Sequence, residues 1–421
     1  MIARPFPCLR PAPGVAAQVA ALPYDVYDRA EAREAVAGRP LSFLNVDRPE
    51  TQFPPGQDMY APEVYARARE VLDGWAADGT LVADDEPCYY LYRLEAAGRA
   101  QSGFVACCSV DDYLDGTIRR HENTRAEKEL DRIRHIEALD AQTGPIFLAF
   151  RGTDELARLS EQVQGREPLY DFAADDGVRH TVWRVGDPTE VAAVEGAFAQ
   201  VPHAYIADGH HRAASAVKVG LARREAAGDA CDGTEPYNFF LSVLFPADEL
   251  AILPYHRVMC DLGLDEAGAP RSPERFLSDA CAAGFTVTAS ETPVQPAADE
   301  PGTFGMYLAG GWWHLFAPEE DGATMADPVA SLDVSRLQAR LLGPVLGIED
   351  PRTDPRVSFV GGVRGLGELE RRASETGGVA FAVRATTVGE LLAVADAGLL
   401  MPPKSTWFEP KLRSGLFVHR I

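Results

Sequence analysis

The chain has 421 residues, 46% of them apolar and 24% charged, enough for two or three domains with sizeable cores. Its 40 Lys and Arg stand against 63 Asp and Glu, a formal charge of −23 with no basic run to offset it, which disfavours nucleic acid and anionic membranes as partners. No stretch approaches the ~20 apolar residues of a membrane span, and the proline-studded start (Pro5, Pro7, Pro11, Pro13) lacks the apolar segment of a signal peptide.

Residues 1–28 read as extended, and Pro23 disfavours helix at Leu22, so a strand or loop places Tyr24 and Asp25, two candidate substrate contacts. A short charged helix is expected over 29–37. Residues 40–46 read as an apolar strand that delivers Asn45, Asp47, Arg48 and Glu50 into a polar loop; these side chains either meet substrate or make turn hydrogen bonds. Residues 60–78 form an amphipathic helix with Val64, Ala68, Val71, Leu72 and Trp75 at helical spacing. Residues 88–94 and 103–110 read as an antiparallel pair turning near Ala97-Gly98.

The run Ile118-Arg119-Arg120-His121-Glu122-Asn123-Thr124-Arg125 sits at an expected helix start. Charges of both signs follow up to residue 137, and part of this is an exposed helix face laced with weak i,i+4 pairs. That reading leaves His121, Glu122 and Thr124 unexplained. Glu122 suits a general base or a magnesium ligand, His121 an acid or base, and Thr124 a substrate contact. Beyond it, strands at 146–150 and 182–185 alternate with helices at 155–164 and 188–200, the pattern of an α/β core between residues 140 and 260.

Residues 203–216 are the centre of the chain: Tyr205, Ile206 and Ala207 form a short strand, Asp208-Gly209 a turn, and His210-His211-Arg212 open an Ala-rich helix interrupted only by Gly220. The first N–H groups of a helix have no intrahelical partner and its dipole favours negative charge, so a phosphate fits this junction. Gly209 allows close backbone approach, Asp208 can cap the turn or hold a metal ion, and His210, His211 and Arg212 surround the spot; an ordinary Asp-Gly turn is the bland alternative.

Residues 237–245 and 252–258 are apolar runs, the second carrying His256 and Arg257, which either face a ligand or are satisfied core groups. Residues 271–301 read as a peripheral helix and linker, 304–316 as a hairpin, 331–346 as an amphipathic helix, and 356–397 as alternating strands and helices. The chain then reaches Met401-Pro402-Pro403-Lys404-Ser405-Thr406, followed by Lys411: two lysines and two hydroxyls among prolines, a candidate phosphate clamp of Lys404, Ser405, Thr406 and Lys411 or a solvated loop docked by Trp407 and Phe408. Seven scattered cysteines (8, 88, 107, 108, 231, 260, 281), without Cys-x-x-Cys spacing, read as buried thiols of a cytoplasmic protein.

The Asp208-Gly209-His210-His211-Arg212 run with Ala213, Ala214 and Ala216 resembles the nucleotide-phosphate motif of the ParB/sulfiredoxin-like fold, to which the archaeal free-serine kinase belongs. Nearly the whole chain resembles the family catalogued as domain of unknown function 1015, through Pro23-Tyr24-Asp25-Val26, Asn45-Val46-Asp47-Arg48-Pro49, His121-Glu122-Asn123-Thr124, Gly144-Pro145-Ile146-Phe147, Pro254-Tyr255-His256-Arg257 and the Met401–Thr406 motif. The expected architecture is mixed α/β (α+β): a ParB/sulfiredoxin-like core within residues 1–265 and a further α/β region over 266–421.

The resemblance implies a small-molecule kinase that takes ATP or ADP with magnesium and phosphorylates a hydroxylated metabolite, free L-serine first among them. In that kinase the motif's Asp and a separate Glu carry catalysis; Asp208 matches the first, and Glu122 is only a candidate for the second. Asp208 and Glu122 would hold the metal, and His210 and His121 complete the catalytic set. No Gly-x-x-x-x-Gly-Lys-Ser/Thr loop is present. Two other readings stand beside it: a ParB-like nucleotide-binding regulator, whose DNA version the acidic charge disfavours, and a metal-dependent hydrolase using His121, Glu122, His210, His211 and His256, which lacks a His-x-x-x-His pair.

Overall fold

Nine strands pair into the largest sheet of the computed structural model, which describes residues 1–265 and 267–421. Across it run Ile118–Arg119, Ala204–Asp208, Ile146–Phe150, Phe239–Pro246, Arg99–Ser109, Tyr89–Ala96, Arg179–Val185 and Tyr170–Ala173, with Ala3–Arg4 paired to Arg99–Ser109 beside this path. The sheet is mixed. Ile146–Phe150 runs parallel to Phe239–Pro246 but antiparallel to Ala204–Asp208. The run Phe239–Phe245 is buried throughout, as a central strand covered on both faces must be. The expected hairpin is Tyr89–Ala96 with Arg99–Ser109, turning at Ala97 (φ 49°) and Gly98 (φ 75°), the two positive φ values that a tight two-residue turn requires.

Helix Ala126–Leu139 packs against His210–Ala227 on one side and Pro62–Ala77 on the other. Leu148, Ile206, Ala213, Val217, Phe240 and Leu244 belong to one buried apolar cluster, which seats the helix His210–Ala227 on the sheet. Gly220 lets this helix approach the chain at Tyr237: a Cβ at position 220 would lie 2.5 Å from the Tyr237 carbonyl oxygen. That contact explains the one glycine in the Ala-rich segment.

A second sheet pairs Leu81–Ala83, Cys8–Pro11, Val418–Arg420 and Ala141–Gln142 in that order. The C-terminal strand therefore belongs with the start of the chain, and Ser414 pairs with Ala21. Two compact units result, Met1–Leu250 with Pro410–Ile421, and Ala251–Glu409, so the division falls at two points where the sequence reading placed one cut at 265. These pairings join residues hundreds of positions apart, which no local signal carries. Lys411 belongs to the first unit, whereas the Met401–Thr406 loop belongs to the second.

The second unit is built on a six-stranded antiparallel sheet ordered Thr286–Ser290, Gly311–Phe316, Thr303–Leu308, Val379–Val383, Tyr255–Met259 and Val357–Gly361, with helix Leu366–Thr376 packed on it. Three expectations are corrected. Residues 40–46 are not a strand: Leu44–Asp47 is a helical turn, because the Asn45 amide ties back to the Ser42 (3.0 Å) and Arg39 (3.2 Å) carbonyls and closes the chain locally. The helix expected over 331–346 is Asp333–Leu337 followed by a wide turn in which the Gly343 N–H donates to the Gln338 carbonyl, five residues back, before Pro344. Cys8, Cys88, Cys107 and Cys108 are buried, but Cys260 and Cys281 are exposed. Among the described residues no helix is long and apolar enough to cross a membrane.

Burial has a consequence for the histidines. His180 is fully buried; Arg413 Nε donates to its Nε2 at 3.1 Å, which assigns the ring proton to Nδ1, 2.7 Å from the Tyr92 hydroxyl. Burial, with the Arg413 charge, pushes His180 down to about 3, and burial pushes His419 down to about 4. In the unfolded chain both return to about 6.5. The unfolded state thus takes up protons as pH falls below about 6.5 while the folded state does not until far lower, so stability falls on acidification across that window. We predict that the melting temperature drops between pH 7 and pH 4.5, and that His419→Gln reduces the slope; a flat profile in the unsubstituted protein contradicts the assignment.

Candidate functional site

The strand Ala204–Asp208 ends where its apolar run ends, and Gly209 at φ 93° turns the chain into helix His210–Ala227. A side chain at 209 would be strained there and would also meet Arg212, whose Nε lies 3.0 Å from an added Cβ. No side chain of the described residues caps this helix; the first intrahelical bond joins the Ala213 N–H to the Gly209 carbonyl. The dipole and the N–H groups of its first turn therefore favour negative charge.

Asp208 sits at that turn with its side chain 29% exposed. Its Oδ1 accepts the Gly209 N–H at 3.0 Å, and its Oδ2 lies 3.0 Å from Lys411 Nζ and 3.8 Å from Arg212 Nη2. Desolvation opposes its charge, but the two cations outweigh it and hold the carboxyl well below the usual carboxylate range. Lys411 reaches Asp208 from the C-terminal segment.

His210 and His121 are buried and pack edge to face, ring centres 4.5 Å apart at 83°. The His121 backbone N–H donates to His210 Nε2 at 3.5 Å, which assigns the His210 proton to Nδ1, facing Glu122 Oε2 at 3.7 Å. Burial pushes His121 down to about 4 and, with His121 beside it, holds His210 well below its ordinary value. Both rings are neutral at pH 7, so the cationic character of the site comes from Lys and Arg. Glu122 is part-exposed; it and Asp208 are the carboxylates that would be offered to magnesium, an ion that takes one or two carboxylates and completes its shell with phosphate and water.

A cavity of about 30 Å³ adjoins the turn, lined among others by Tyr24, Asp47, Arg132, Thr143 and Arg212. Arg132 stacks over the Tyr24 ring at 4.0 Å, and the Thr143 hydroxyl donates to Asp47 Oδ1 at 2.8 Å. Arg212 Nη1 donates to the Pro145 carbonyl, and a Cβ on Gly144 would crowd Arg212 Cδ at 3.3 Å. Tyr24 and Asp47, singled out in the sequence, thus line the cavity that Arg212 of the Asp208 turn also lines.

The remaining sequence candidates separate. Arg48 is a strut: its Nε pairs with Glu50 at 2.6 Å and its Nη1 donates to the Tyr24 and Tyr27 carbonyls at 3.0 and 2.8 Å, fixing the segment that carries Tyr24. Asn45 ties its own turn, and Asp25 is exposed. The Thr124 hydroxyl donates to Glu129, and His211 Nε2 accepts the Arg125 N–H at 3.0 Å. In the second unit, His256 Nδ1 accepts the Val383 N–H at 3.2 Å, and buried Arg257 donates to the Tyr255 and Pro403 carbonyls at 2.6 and 3.2 Å. Lys404 (φ 54°) is exposed, 5.6 Å from the Tyr255 ring centre, and the Ser405 hydroxyl donates to the Pro402 carbonyl at 2.6 Å; Thr406 is part-exposed beside it.

Arg132 and Thr143 were not anticipated as site residues. Arg132 carried a signal: Glu129, Arg132, His135, Ile136 and Leu139 are the buried residues of helix Ala126–Leu139, so charged groups occupy the inward stripe that Ile136 and Leu139 define. Among the described residues no group of three or more His, Cys, Asp or Glu gathers to hold a metal ion.

A mixed α/β protein with a buried strand-turn-helix junction at Asp208–Arg212 is the class these features define. The family model described as protein of unknown function (DUF1015) matches residues 3–335, and the chain belongs to that family. Among solved structures it is similar to a free serine kinase in complex with AMP (TM-score 0.35, 12% identity, 72% of this chain and 86% of that one). It is similar also to a conserved hypothetical protein from Pyrococcus furiosus (0.34, 13%, 73% and 93%) and to C-terminally truncated SbnI from Staphylococcus aureus (0.35, 13%, 72% and 82%). A comparison with curated proteins gives no significant match.

Gly209 is the position where backbone and side-chain demands coincide. We predict that Gly209→Ala lowers the melting temperature more than Gly38→Ala, because position 38 (φ 71°) bears only the left-handed strain of about 1–2 kcal/mol with nothing within 4 Å of its Cβ. Equal losses in thermal unfolding would remove Arg212 as a constraint on the turn.

Proposed function

We propose that the chain is a small-molecule kinase on a ParB/sulfiredoxin-like core, transferring phosphate from ATP or ADP to the hydroxyl of a small metabolite, with free L-serine the first acceptor to try. The observation that carries this reading is the ionised Asp208 held by Lys411 and Arg212 at the uncapped start of helix His210–Ala227, beside His121, Glu122 and His210. Phosphoryl transfer asks for positioning and charge neutralisation more than covalent chemistry, and this constellation supplies both.

In this reading the N–H groups of the first helical turn and Arg212 take the phosphates, and Lys411 exchanges its partner from Asp208 to a phosphate oxygen. The acceptor oxygen bonds to the terminal phosphorus while the bond from that phosphorus to the bridging oxygen breaks, its electron pair leaving with the shortened nucleotide. The hydroxyl proton passes to a carboxylate, Glu122 being the candidate base. Magnesium entering with the nucleotide would be held by Asp208 and Glu122 and would neutralise phosphate charge. The neutral His121 and His210 pair shapes the apolar wall beside Glu122 and orients it.

The test is mass spectrometry of products after incubation with magnesium, L-serine and either ATP or ADP. Phosphoserine is expected, reduced roughly 100-fold or more in Asp208→Ala, the scale on which a preorganised electrostatic group acts. No phosphorylated product from either nucleotide, or undiminished product from Asp208→Ala, rejects this function.

A further inference from the structure

We propose that the cavity lined by Tyr24, Asp47, Arg132, Thr143 and Arg212 is the acceptor subsite and that it takes the charged head of a small zwitterion, a hydroxylated α-amino acid. The proposal rests on the phosphoryl-transfer reading of Asp208 and adds to it where the acceptor's charged head sits and which groups select it. Neither Arg132 nor Thr143 has a role in that reading.

The cavity holds both signs of charge. Arg132 presents one edge to Asp131, with Nε and Nη2 3.0 and 2.8 Å from Oδ2, while its guanidinium lies over the Tyr24 ring. Arg212 is nine-tenths buried, and its Nε has no hydrogen-bond partner among the described residues. Asp47 is 2% exposed and faces the same space, with Oδ1 taken by the Thr143 hydroxyl. A buried guanidinium donor without an acceptor is an incomplete arrangement. Arg48 shows the contrast, its Nε matched by Glu50 and its Nη1 by two carbonyls; Arg33 and Arg336 also have an Nε unpartnered among the described residues, but of the three only Arg212 lines the cavity with Asp47 and Arg132.

Charge balance selects the ligand. Arg132 faces Asp131 and Arg212 faces Asp208, so a simple anion would meet the Asp47 carboxylate and a simple cation would meet the guanidinium groups. A zwitterion satisfies both, its carboxylate on Arg212 Nε and Arg132 and its ammonium on Asp47. The volume of about 30 Å³ admits two or three water-sized groups, the size of an amino-acid head and far below that of a nucleobase. Arg212 also spans to Asp208, so the hydroxyl of a ligand seated here lies next to the transfer site.

Isothermal titration of the full chain without nucleotide tests this, using L-serine, L-threonine and L-homoserine against ethanolamine, which lacks the carboxylate, and D-glycerate, which lacks the ammonium. At least one amino acid is expected to bind about tenfold or more tightly than both controls, the step that loss of one charged contact gives. Binding of ethanolamine or D-glycerate as tight as the best amino acid, or no binding of any amino acid, overturns the proposal. Arg132→Lys, which keeps the charge and loses the fork, is expected to weaken amino-acid binding by a similar factor. The ranking by the unsubstituted protein decides the matter even if that variant does not fold. Correct ranking with no phosphorylated product rejects the kinase and leaves the subsite; equal turnover of ethanolamine rejects the subsite and leaves the kinase.

Discussion

The charge on Asp208 is the constraint on which the first unit depends. A carboxylate at a turn between a buried strand and a buried helix loses much of its hydration, and it stays ionised only where cations replace that water. Arg212 is supplied locally, four residues on along the helix, and Lys411 from two hundred residues away. The return of the chain after Glu409 is therefore electrostatic as well as structural. Once Lys411 is in place, Arg413 pairs with Asp176 and donates to His180, Ser414 pairs with Ala21, and Val418–Arg420 completes the second sheet.

The same economy of charge runs through the neighbouring residues. Two buried imidazoles beside a carboxylate could have been a cationic pair, but burial keeps both neutral and leaves the positive charge at the turn to Lys411 and Arg212. Arg48 is consumed by Glu50 and the carbonyls of the Tyr24 segment, and Arg257 in the second unit by the Tyr255 and Pro403 carbonyls. Among the described residues the Nε atoms of Arg29, Arg33, Arg93, Arg271 and Arg336 are buried without a hydrogen-bond partner as that of Arg212 is; what sets Arg212 apart is its place on the cavity that Asp47 and Arg132 also line.

Much of this was legible in the sequence because it is local. The strand, the Asp208-Gly209 turn and the helix are written in adjacent residues, and so are the Tyr89–Ala96 hairpin and helix Leu366–Thr376. Leu44–Asp47 was missed because Asn45 bonds to carbonyls override an apolar run that otherwise suits a strand. The strand Thr286–Ser290 was missed because its residues are mostly exposed and carry no burial pattern. Of the site, Lys411 was found by composition, although its pairing with Asp208 is a long-range fact. Arg132 was set aside as a surface charge, and only the helical phase of Ile136 and Leu139 marks it as inward-facing. The Met401–Thr406 loop and Lys411 read as one motif in sequence yet belong to different units, because adjacency along a chain does not fix which sheet a strand joins.

The proposed function stands or falls on phosphate binding at the Asp208–Arg212 turn. The most direct measurement is a crystal structure of the protein soaked with ADP and magnesium. Phosphate oxygens are expected within hydrogen-bond distance of the N–H groups of residues 210–212, with Lys411 drawn from Asp208 toward them. Phosphates seated on the Met401–Thr406 loop alone, with the Lys411–Asp208 pair intact, would contradict it.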